Sequence, residues 1–449
     1  MPARRVILAE YFMTPPVTFL FVAREDFDEP EVTSIPLSLE QITDFIGRNF
    51  REERDVAGKA TVSTHEKLQA LDESGFQDFF SPLVQPLAAM SRRNDLISEE
   101  GDIIWFVPHD VLHYLPLHAL KVDGRLLLER NPVCYTPSAA VMKYCQSKRT
   151  GRRKSALVFA DSRNDLVHAR DEALVISHLF QTTPFLGEQA SKAILLEQLN
   201  KNNFDVLHFS CHGFFNEDEP LQSGILLAET DTGDETDDQS DSATLTAEEI
   251  FDLQLHADLI TLSACESGVS EREPGDELIG LTRALIFAGT PSVVVSLWSV
   301  DDLSTSLLIE RFYEELLGSE STLNKAEALR AAQLYIKDLP AKQVVERAEA
   351  HLAELQPEQN DLRWSLWRNK AYAQTIAGDL PAAIEIYSQL LMQMKEAGVS
   401  QGELLSLEQR LELLRFKDAE SPVTEVNYEV QPFSHFYYWA PFVLVGDWK

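Results

Sequence analysis

Polar and apolar positions along this chain fall into two rhythms. Up to about residue 300, short apolar runs recur between clusters of turn-forming residues. The segments 5–9 and 17–23, on either side of Thr14-Pro15-Pro16, alternate as the two arms of a β-hairpin do. Further runs at 102–108, 124–129, 133–135, 156–160, 205–210, 224–228, 258–262, 292–298 and 441–445 are mostly apolar throughout, the pattern of strands buried on both faces of a parallel sheet. Between them lie stretches with apolar residues three and four apart: 37–50, 76–90, 138–146, 169–180, 191–199, 278–288, 303–317 and 325–336. Start signals support several of these helices. Ser38 with Gln41, and Thr246 with Glu249, have capping-box spacing, and Ser138 and Ser191 stand where N-caps belong. Strand and helix in alternation predict a doubly wound, mostly parallel α/β sheet.

The second rhythm is helical only. Residues 341–355 and 401–416 read as helices, and Trp367, Ala371, Gly378, Ala383 and Tyr387 have the spacing of one tetratricopeptide (TPR) helix pair. One such pair cannot bury its own faces, so it needs neighbours or a partner. The predicted organisation is an N-terminal α/β module at 1–95 that packs on a core at 96–337, an inserted TPR-like helical bundle at 338–431, and a closing strand of the core within 432–449.

Composition narrows the classes of function. The 449 residues are 44% hydrophobic, ample for a large core, and carry a formal net charge of −33. Such acidity argues against nucleic acid and against an anionic membrane surface, both of which need a basic face. It suits a basic peptide or protein partner, or serves solubility alone. No signal peptide or membrane span is apparent, because Glu10 and Pro15-Pro16 interrupt the first apolar run; a cytoplasmic protein is expected. Four cysteines, Cys134, Cys145, Cys211 and Cys265, form neither a disulfide framework nor a zinc pattern, and no cofactor or metal is expected. His109, His113 and His118 are interleaved with leucines and lack acidic or thiol co-ligands, so they read as structural. The acidic stretch 229–242 reads as a loop without EF-hand spacing. The basic run 148–154 reads as a solvated connection open to proteases, and self-processing there is conceivable.

The reactive side chains lie at the ends of two predicted strands. Asp205-Val-Leu-His-Phe-Ser-Cys-His-Gly213 ends in His212, and Asp258-Leu-Ile-Thr-Leu-Ser-Ala-Cys-Glu-Ser-Gly268 carries Cys265. The carboxyl ends of strands are where open α/β sheets present chemistry. A thiol is mostly protonated near neutrality, and a neighbouring imidazole can take its proton and later return it. His212 and Cys265 are therefore the candidate base and nucleophile. The amides of Gly213 and Cys265 are candidate donors to an oxyanion. His208 shares a strand face with His212 but lies further from the tip. Asp161, at the end of the 156–160 strand, can orient the imidazole, line a specificity pocket, or simply form a turn.

Five phrases resemble one family. They are His208-Phe-Ser-Cys-His-Gly213, Leu262-Ser-Ala-Cys-Glu-Ser-Gly268, Gly275-Asp-Glu-Leu-Ile-Gly-Leu281, Ala288 to Trp298 (Ala-Gly-Thr-Pro-Ser-Val-Val-Val-Ser-Leu-Trp) and Tyr437-Tyr-Trp-Ala-Pro-Phe-Val-Leu-Val-Gly446. In their order they resemble the CHAT family, caspase-like cysteine peptidases related to separase and often associated with TPR repeats. The resemblance implies a caspase-like fold and a His–Cys dyad at His212 and Cys265. It also implies an extended substrate laid along Ser296 to Trp298, and bacterial signalling or defence as a setting. The phrase Leu297-Trp-Ser-Val-Asp-Asp302 is similar to one in separase, which makes Asp302 the candidate for reading a Lys or Arg before the cut. Asp302 can equally cap the helix predicted from residue 303. The alternative reading is a catalytically silent or partner-gated interaction module that uses the helical region.

Overall fold

The structure is a computed structural model of the chain. It describes residues 5–50, 53–54, 60–214, 219–229, 243–263, 276–298, 302–318, 323–356, 359–399, 401–420 and 425–449. Cys265, Asp301 and most of the acidic stretch lie outside these residues. The chain divides into two compact units, one of residues 1–334 with 436–449 and one of residues 335–435.

The first unit is built on an eleven-stranded sheet among the described residues. Its strands are β1 (Val6–Met13), β2 (Thr18–Arg24), β3 (Glu31–Ile35), β4 (Ile103–Val107), β5 (Val133–Tyr135), β6 (Ala156–Ala160), β7 (Phe185–Leu186), β8 (Val206–Ser210), β9 (Leu259–Leu262), β10 (Ser292–Ser296) and β11 (Phe442–Gly446). Across the sheet the order is β7-β6-β8-β9-β10-β11-β5-β4-β1-β2-β3. From β7 to β10 all pairs are parallel, and from β11 to β1 all pairs are parallel as well. The two halves run in opposite directions and meet at the antiparallel pair β10–β11. This is the mostly parallel α/β class read from the sequence.

The central strands are apolar because both faces are covered. All five residues of β8 and of β10 are buried. The N-terminal hairpin does more than pack against the core. β1 pairs with β4 in parallel and with β2 antiparallel, so it extends the same sheet. Capping decides several helix starts. Ser38 and Gln41 form a capping box, as do Thr246 and Glu249, and the Ser138 and Ser191 side chains each accept a backbone N–H.

Two expected elements differ. The helix expected over 76–90 is Glu73–Phe80 followed by two 3-10 turns, each with a proline near its start, Pro82 and Pro86. Proline lacks the N–H that a continuing helix needs. The strand expected over 124–129 is only Arg125–Leu126, after which Leu127–Arg130 turns into a short helix.

Three helices supply side chains to the central strands: α1 (Val167–Phe180), α2 (Asp302–Leu317) and α3 (Lys325–Asp338). The register sets His208 opposite Thr261, Thr261 opposite Val294, and Phe209 opposite Leu262. His208 and Thr261 thus share a face. That face is covered by α1 and α2, whose Glu172 and Tyr313 reach these residues.

At the amino end of these strands lies a buried ion cluster. Lys325 at the start of α3 is fully buried, with its Nζ 2.9 Å from Asp258 Oδ2 and 3.8 Å from Asp447 Oδ2. It also donates to Ser292 Oγ at 2.8 Å. Burial pulls the Lys325 pKa below its usual value, against the pull of the two carboxylates. The basic run 148–154 is drawn into this cluster. Arg149 pairs with Asp447, while Asp258 Oδ1 accepts from Thr150 N at 2.8 Å and Gly151 N at 3.0 Å. Asp205 accepts from the amides of Lys154 and Ser155. The segment is a largely exposed connection, as expected, and three aspartates at strand ends hold it in place through its backbone amides and the Arg149 side chain.

The second unit is helical. Its described helices are α4 (Ala341–Glu354), α5 (Asn360–Ala377), α6 (Leu380–Glu396) and α7 (Gln401–Glu420), each packed on the next. Gly378 closes α5 with a φ of 84°, a left-handed backbone that glycine tolerates best, and Asp379 caps α6. Trp364, Ala371, Ala383, Tyr387 and Leu390 form part of its core, joined by Leu407, Leu411 and Leu414 of α7.

Candidate active site

His212 follows β8 by two residues, at the carboxyl end of the strand, and is 4% exposed. Its Nε2 lies 2.7 Å from Asp165 Oδ1. Its Nδ1 is buried and has no hydrogen-bond partner among the described residues. A buried, unpartnered imidazole nitrogen is uncommon, because burial without a partner forfeits a hydrogen bond to water. With Nε2 held by a carboxylate, the neutral ring carries its proton there and Nδ1 keeps its lone pair. The ring is thus set up as a proton acceptor at Nδ1.

A short hairpin system holds the His212 backbone. His212 O accepts from Leu226 N at 2.8 Å, and Gly213 stands opposite Ile225 in a three-stranded antiparallel sheet made with Gly224–Leu226 and Thr244–Thr246. Gly224 is required there, since a Cβ would fall 2.2 Å from Leu245 O.

Asp161 is placed as a turn former. Its φ is 48°, and its carboxylate accepts from Leu166 N at 2.8 Å and from Arg170 Nε at 2.9 Å. Both oxygens are so engaged, and the residue at the imidazole is Asp165 instead. Sequence reasoning missed Asp165, which is one of several polar residues in the loop 161–166. The only sign of it was that the loop follows a strand neighbouring the histidine strand.

Behind His212 a polar network runs through the core. Glu172 Oε2 accepts from Ser263 Oγ at 2.9 Å. Glu172 Oε1 stands 2.9 Å from His208 Nε2, in contact but off the line of a hydrogen bond. Tyr313 OH is 2.8 Å from Thr261 Oγ1 and 3.5 Å from His208 Nδ1. His208 is accordingly an interior residue with its neighbours on both sides.

The cysteines separate clearly. Cys134, Cys145 and Cys211 are all buried. Burial pushes the Cys134 thiol well above its usual range and the Cys145 and Cys211 thiols up to about 12. None of these three is a nucleophile near neutrality. Cys265 lies outside the described residues.

The remaining candidates occupy the end of β10. Ser296 is opposite Phe442, and Leu297 N donates to Pro441 O at 2.9 Å, so one edge of this segment is taken by the chain itself. On its other edge, pairing with β9 ends at Val295 opposite Leu262. Trp298 is buried, donates from its indole N–H to Tyr437 O at 3.2 Å, and packs against Phe50 and Phe436. Its side chain serves the core. Asp302 is the first residue of α2; its side chain lies outside the described residues.

The three histidines after β4 are placed by packing. His118 has Nδ1 2.9 Å from Tyr135 OH and Nε2 3.1 Å from Gln333 Nε2, and burial lowers its pKa to about 3. Burial lowers that of His113 to about 4. Among the described residues no group of three or more His, Cys, Asp or Glu could hold a metal ion. Among them, too, no helix is long and apolar enough to cross a membrane.

A strand-end imidazole with a carboxylate partner, on a mostly parallel sheet split by one antiparallel pair, defines the class of α/β protein. The CHAT domain family matches residues 76–447, and the chain belongs to that family. It is 26% identical over 243 residues to human tetratricopeptide repeat protein 28, covering 48% of this chain and 10% of that protein. It is 28% identical over 191 residues to the mouse protein of that name, covering 37% of this chain and 8% of the relative. The chain thus spans about a tenth of the length of these curated relatives. Among solved structures it is similar to separase in the Saccharomyces cerevisiae separase–securin complex, with a TM-score of 0.47 and 12% identity, over 74% of this chain and 29% of that one. It is also similar to the Arg-specific cysteine proteinase gingipain R, with a TM-score of 0.34 and 13% identity, over 66% and 69% of the two chains.

Proposed function

We propose that this chain is a cysteine endopeptidase in which His212 and Cys265 act as a dyad on a protein substrate. The observation that carries the reading is the state of the His212 ring, with Nε2 held by Asp165 and Nδ1 buried without a partner among the described residues. One further fact supports it: the other three cysteines are buried with raised pKa values, which leaves Cys265 as the candidate nucleophile.

In the proposed reaction Nδ1 of His212 takes the Cys265 thiol proton, and the thiolate attacks the peptide carbonyl carbon. The amides of Gly213 and Cys265 hold the oxyanion. As the C–N bond breaks, the imidazolium returns its proton to the leaving amine. Water activated by the same imidazole then hydrolyses the thioester. The backbone of Ser296 to Trp298 would pair with an extended substrate, and Asp302 would pair with a Lys or Arg before the cut. The acidic charge of the chain would draw such basic substrates toward it, in the cytoplasm of a cell using the protein for signalling or defence.

The test mixes wild-type and Cys265→Ala chains with proteins from the source cell and reads cleavage by mass spectrometry. Cleavage by the wild type alone, after Lys or Arg, is expected; equal cleavage by both chains removes Cys265 from its role, and equal cutting after Asp and Arg removes Asp302.

A second reading has its own observation. Leu405, Leu413 and Phe416 of α7 are exposed apolar residues on the last helix of the second unit. They fit a protein-interaction module whose peptidase is silent or gated by a partner. A thiol-reactive peptide probe separates the two: labelling of Cys265 in the isolated chain favours the enzyme.

A further inference from the structure

The antiparallel seam of the sheet has a cavity on one face. Thr261 stands opposite Val294, so Val295 and, continuing the strand, Leu297 belong to the face away from His208 and Thr261. On that face Val443 of β11 stands opposite Val295, and Val445 stands opposite Tyr135 of β5. These five residues line the cavity from the sheet side. Thr282, on the helix Asp276–Phe287, and His113, in the 3-10 turn Asp110–Tyr114, line it from above. Its volume is about 430 Å³ with the open mouth included, within the range of small-molecule sites. The polar groups of the lining fall into two kinds. Tyr135 OH is taken by His118 Nδ1 at 2.9 Å, and Thr136 Oγ1 donates to Ser138 O at 2.9 Å. Thr282 is 3% exposed, yet its hydroxyl has no hydrogen-bond partner among the described residues. A hydroxyl within a helix can bond back to the carbonyl four residues earlier. Thr375 does so to Ala371 O at 2.8 Å, and Ser388 to Ile384 O at 2.6 Å. Thr282 does not, and its oxygen stays bare in the wall of an otherwise apolar cavity.

We infer that this cavity is a binding site for a small uncharged molecule with an apolar body and one hydrogen-bonding group. The body lies on the valines of the seam, and the polar group meets the Thr282 hydroxyl. Burial, and then the nearby Arg283, keep His113 neutral at ordinary pH, so the described lining carries no charge. A charged head would lose its hydration there with nothing of opposite sign in return. A single substituted ring suits both the volume and the one free hydroxyl. Binding at this place needs neither His212 nor Cys265, so it stands or falls apart from the peptidase reading.

The experiment titrates the full chain, labelled at its valine and leucine methyl groups, with p-cresol, toluene and p-methylbenzoate, and follows the methyl resonances. Saturable shifts at Val295, Leu297, Val443 and Val445 are expected with p-cresol, at a dissociation constant of about 1 mM or below. Toluene, which lacks the hydroxyl, should bind about fivefold more weakly, and p-methylbenzoate weaker still. Thr282→Val keeps the shape of the side chain and removes its oxygen. It should weaken p-cresol about fivefold and leave toluene within about twofold. Val443→Phe fills the cavity and should abolish both; if that variant does not fold, Val445→Phe, at a half-buried position, replaces it. No saturable shift up to the solubility limit, or shifts that persist in the filled variant, would overturn the site. Tighter binding of p-methylbenzoate than of p-cresol, or p-cresol binding that Thr282→Val leaves intact, would overturn the class of ligand.

Discussion

The two ends of the central strands both hold buried charge, and they hold it differently. At the amino end, Lys325 faces Asp258 and Asp447, and both carboxylates also collect donors from the 149–151 backbone or from Arg149. At the carboxyl end, His212 keeps one nitrogen paired and, among the described residues, one bare. Charge matched by opposite charge reads as architecture. A bare imidazole nitrogen at a strand end reads as chemistry, because an atom left without a partner among the described residues is free to receive a proton.

The contrast can be broken most heavily at the amino end. Lys325→Met leaves two buried carboxylates facing each other, and a loss of about 3–5 kcal/mol is expected in urea unfolding. A loss below about 1 kcal/mol would mean that the cluster is not a structural lock. The carboxyl end should respond differently. Asp165→Asn is expected to lower Cys265 reactivity or peptide cleavage by about ten- to a hundredfold. Because the Asp165 side chain is 55% exposed, unfolding free energy should change by less than about 1 kcal/mol. Equal loss of activity and stability would erase the distinction between the ends.

A third measurement uses pH. His118 and His113 have pKa values near 3 and 4 in the folded chain, below the ordinary 6.5, because burial disfavours their charged forms. The unfolded chain therefore binds protons that the folded one does not. Stability is full above pH 6.5 and declines as pH falls toward 4 and then 3, by about 1.4 kcal/mol per pH unit for each histidine. His118→Gln should remove one proton from that slope while leaving thiol reactivity at pH 7 unaltered. The smallest effect is expected in the pinned basic run. Trypsin should cut within 148–154 only slowly in the wild type, and Asp258→Asn should speed the cut several-fold by freeing Thr150 and Gly151. Fast cutting of the wild type would return this segment to the status of an open connection.

Much of the fold was legible because the central strands are buried on both faces, so their apolar runs stand out between turn residues. Caps were legible where a side chain bonds within three residues, as at Ser38 and Thr246. The strand-end placement of His212 followed from the same logic. What escaped depends on contacts distant in sequence. Asp165 meets His212 across 47 positions, and Asp447 meets Arg149 across 298. No local pattern marks such partners. The run 148–154 was legible as a solvated connection from its basic composition, but not the aspartates that hold it, which stand at the starts of β8 and β9 and after β11. The 76–90 helix was misjudged for a local reason, since Pro82 and Pro86 each break the backbone ladder.

The antiparallel pair at the middle of the sheet has one more implication. β11 lies between β10 and β5, yet about 145 residues separate it from β10. Each doubling of such a loop adds only about 0.6 kcal/mol of closure entropy, so the long excursion is thermodynamically tolerable. A chain cut short of residue 442, however, would present two raw borders at once, Ser292–Ser296 and Val133–Tyr135, both apolar and both ready to pair with another molecule. Such a fragment should self-associate, and the last strand to arrive is what keeps each copy to itself.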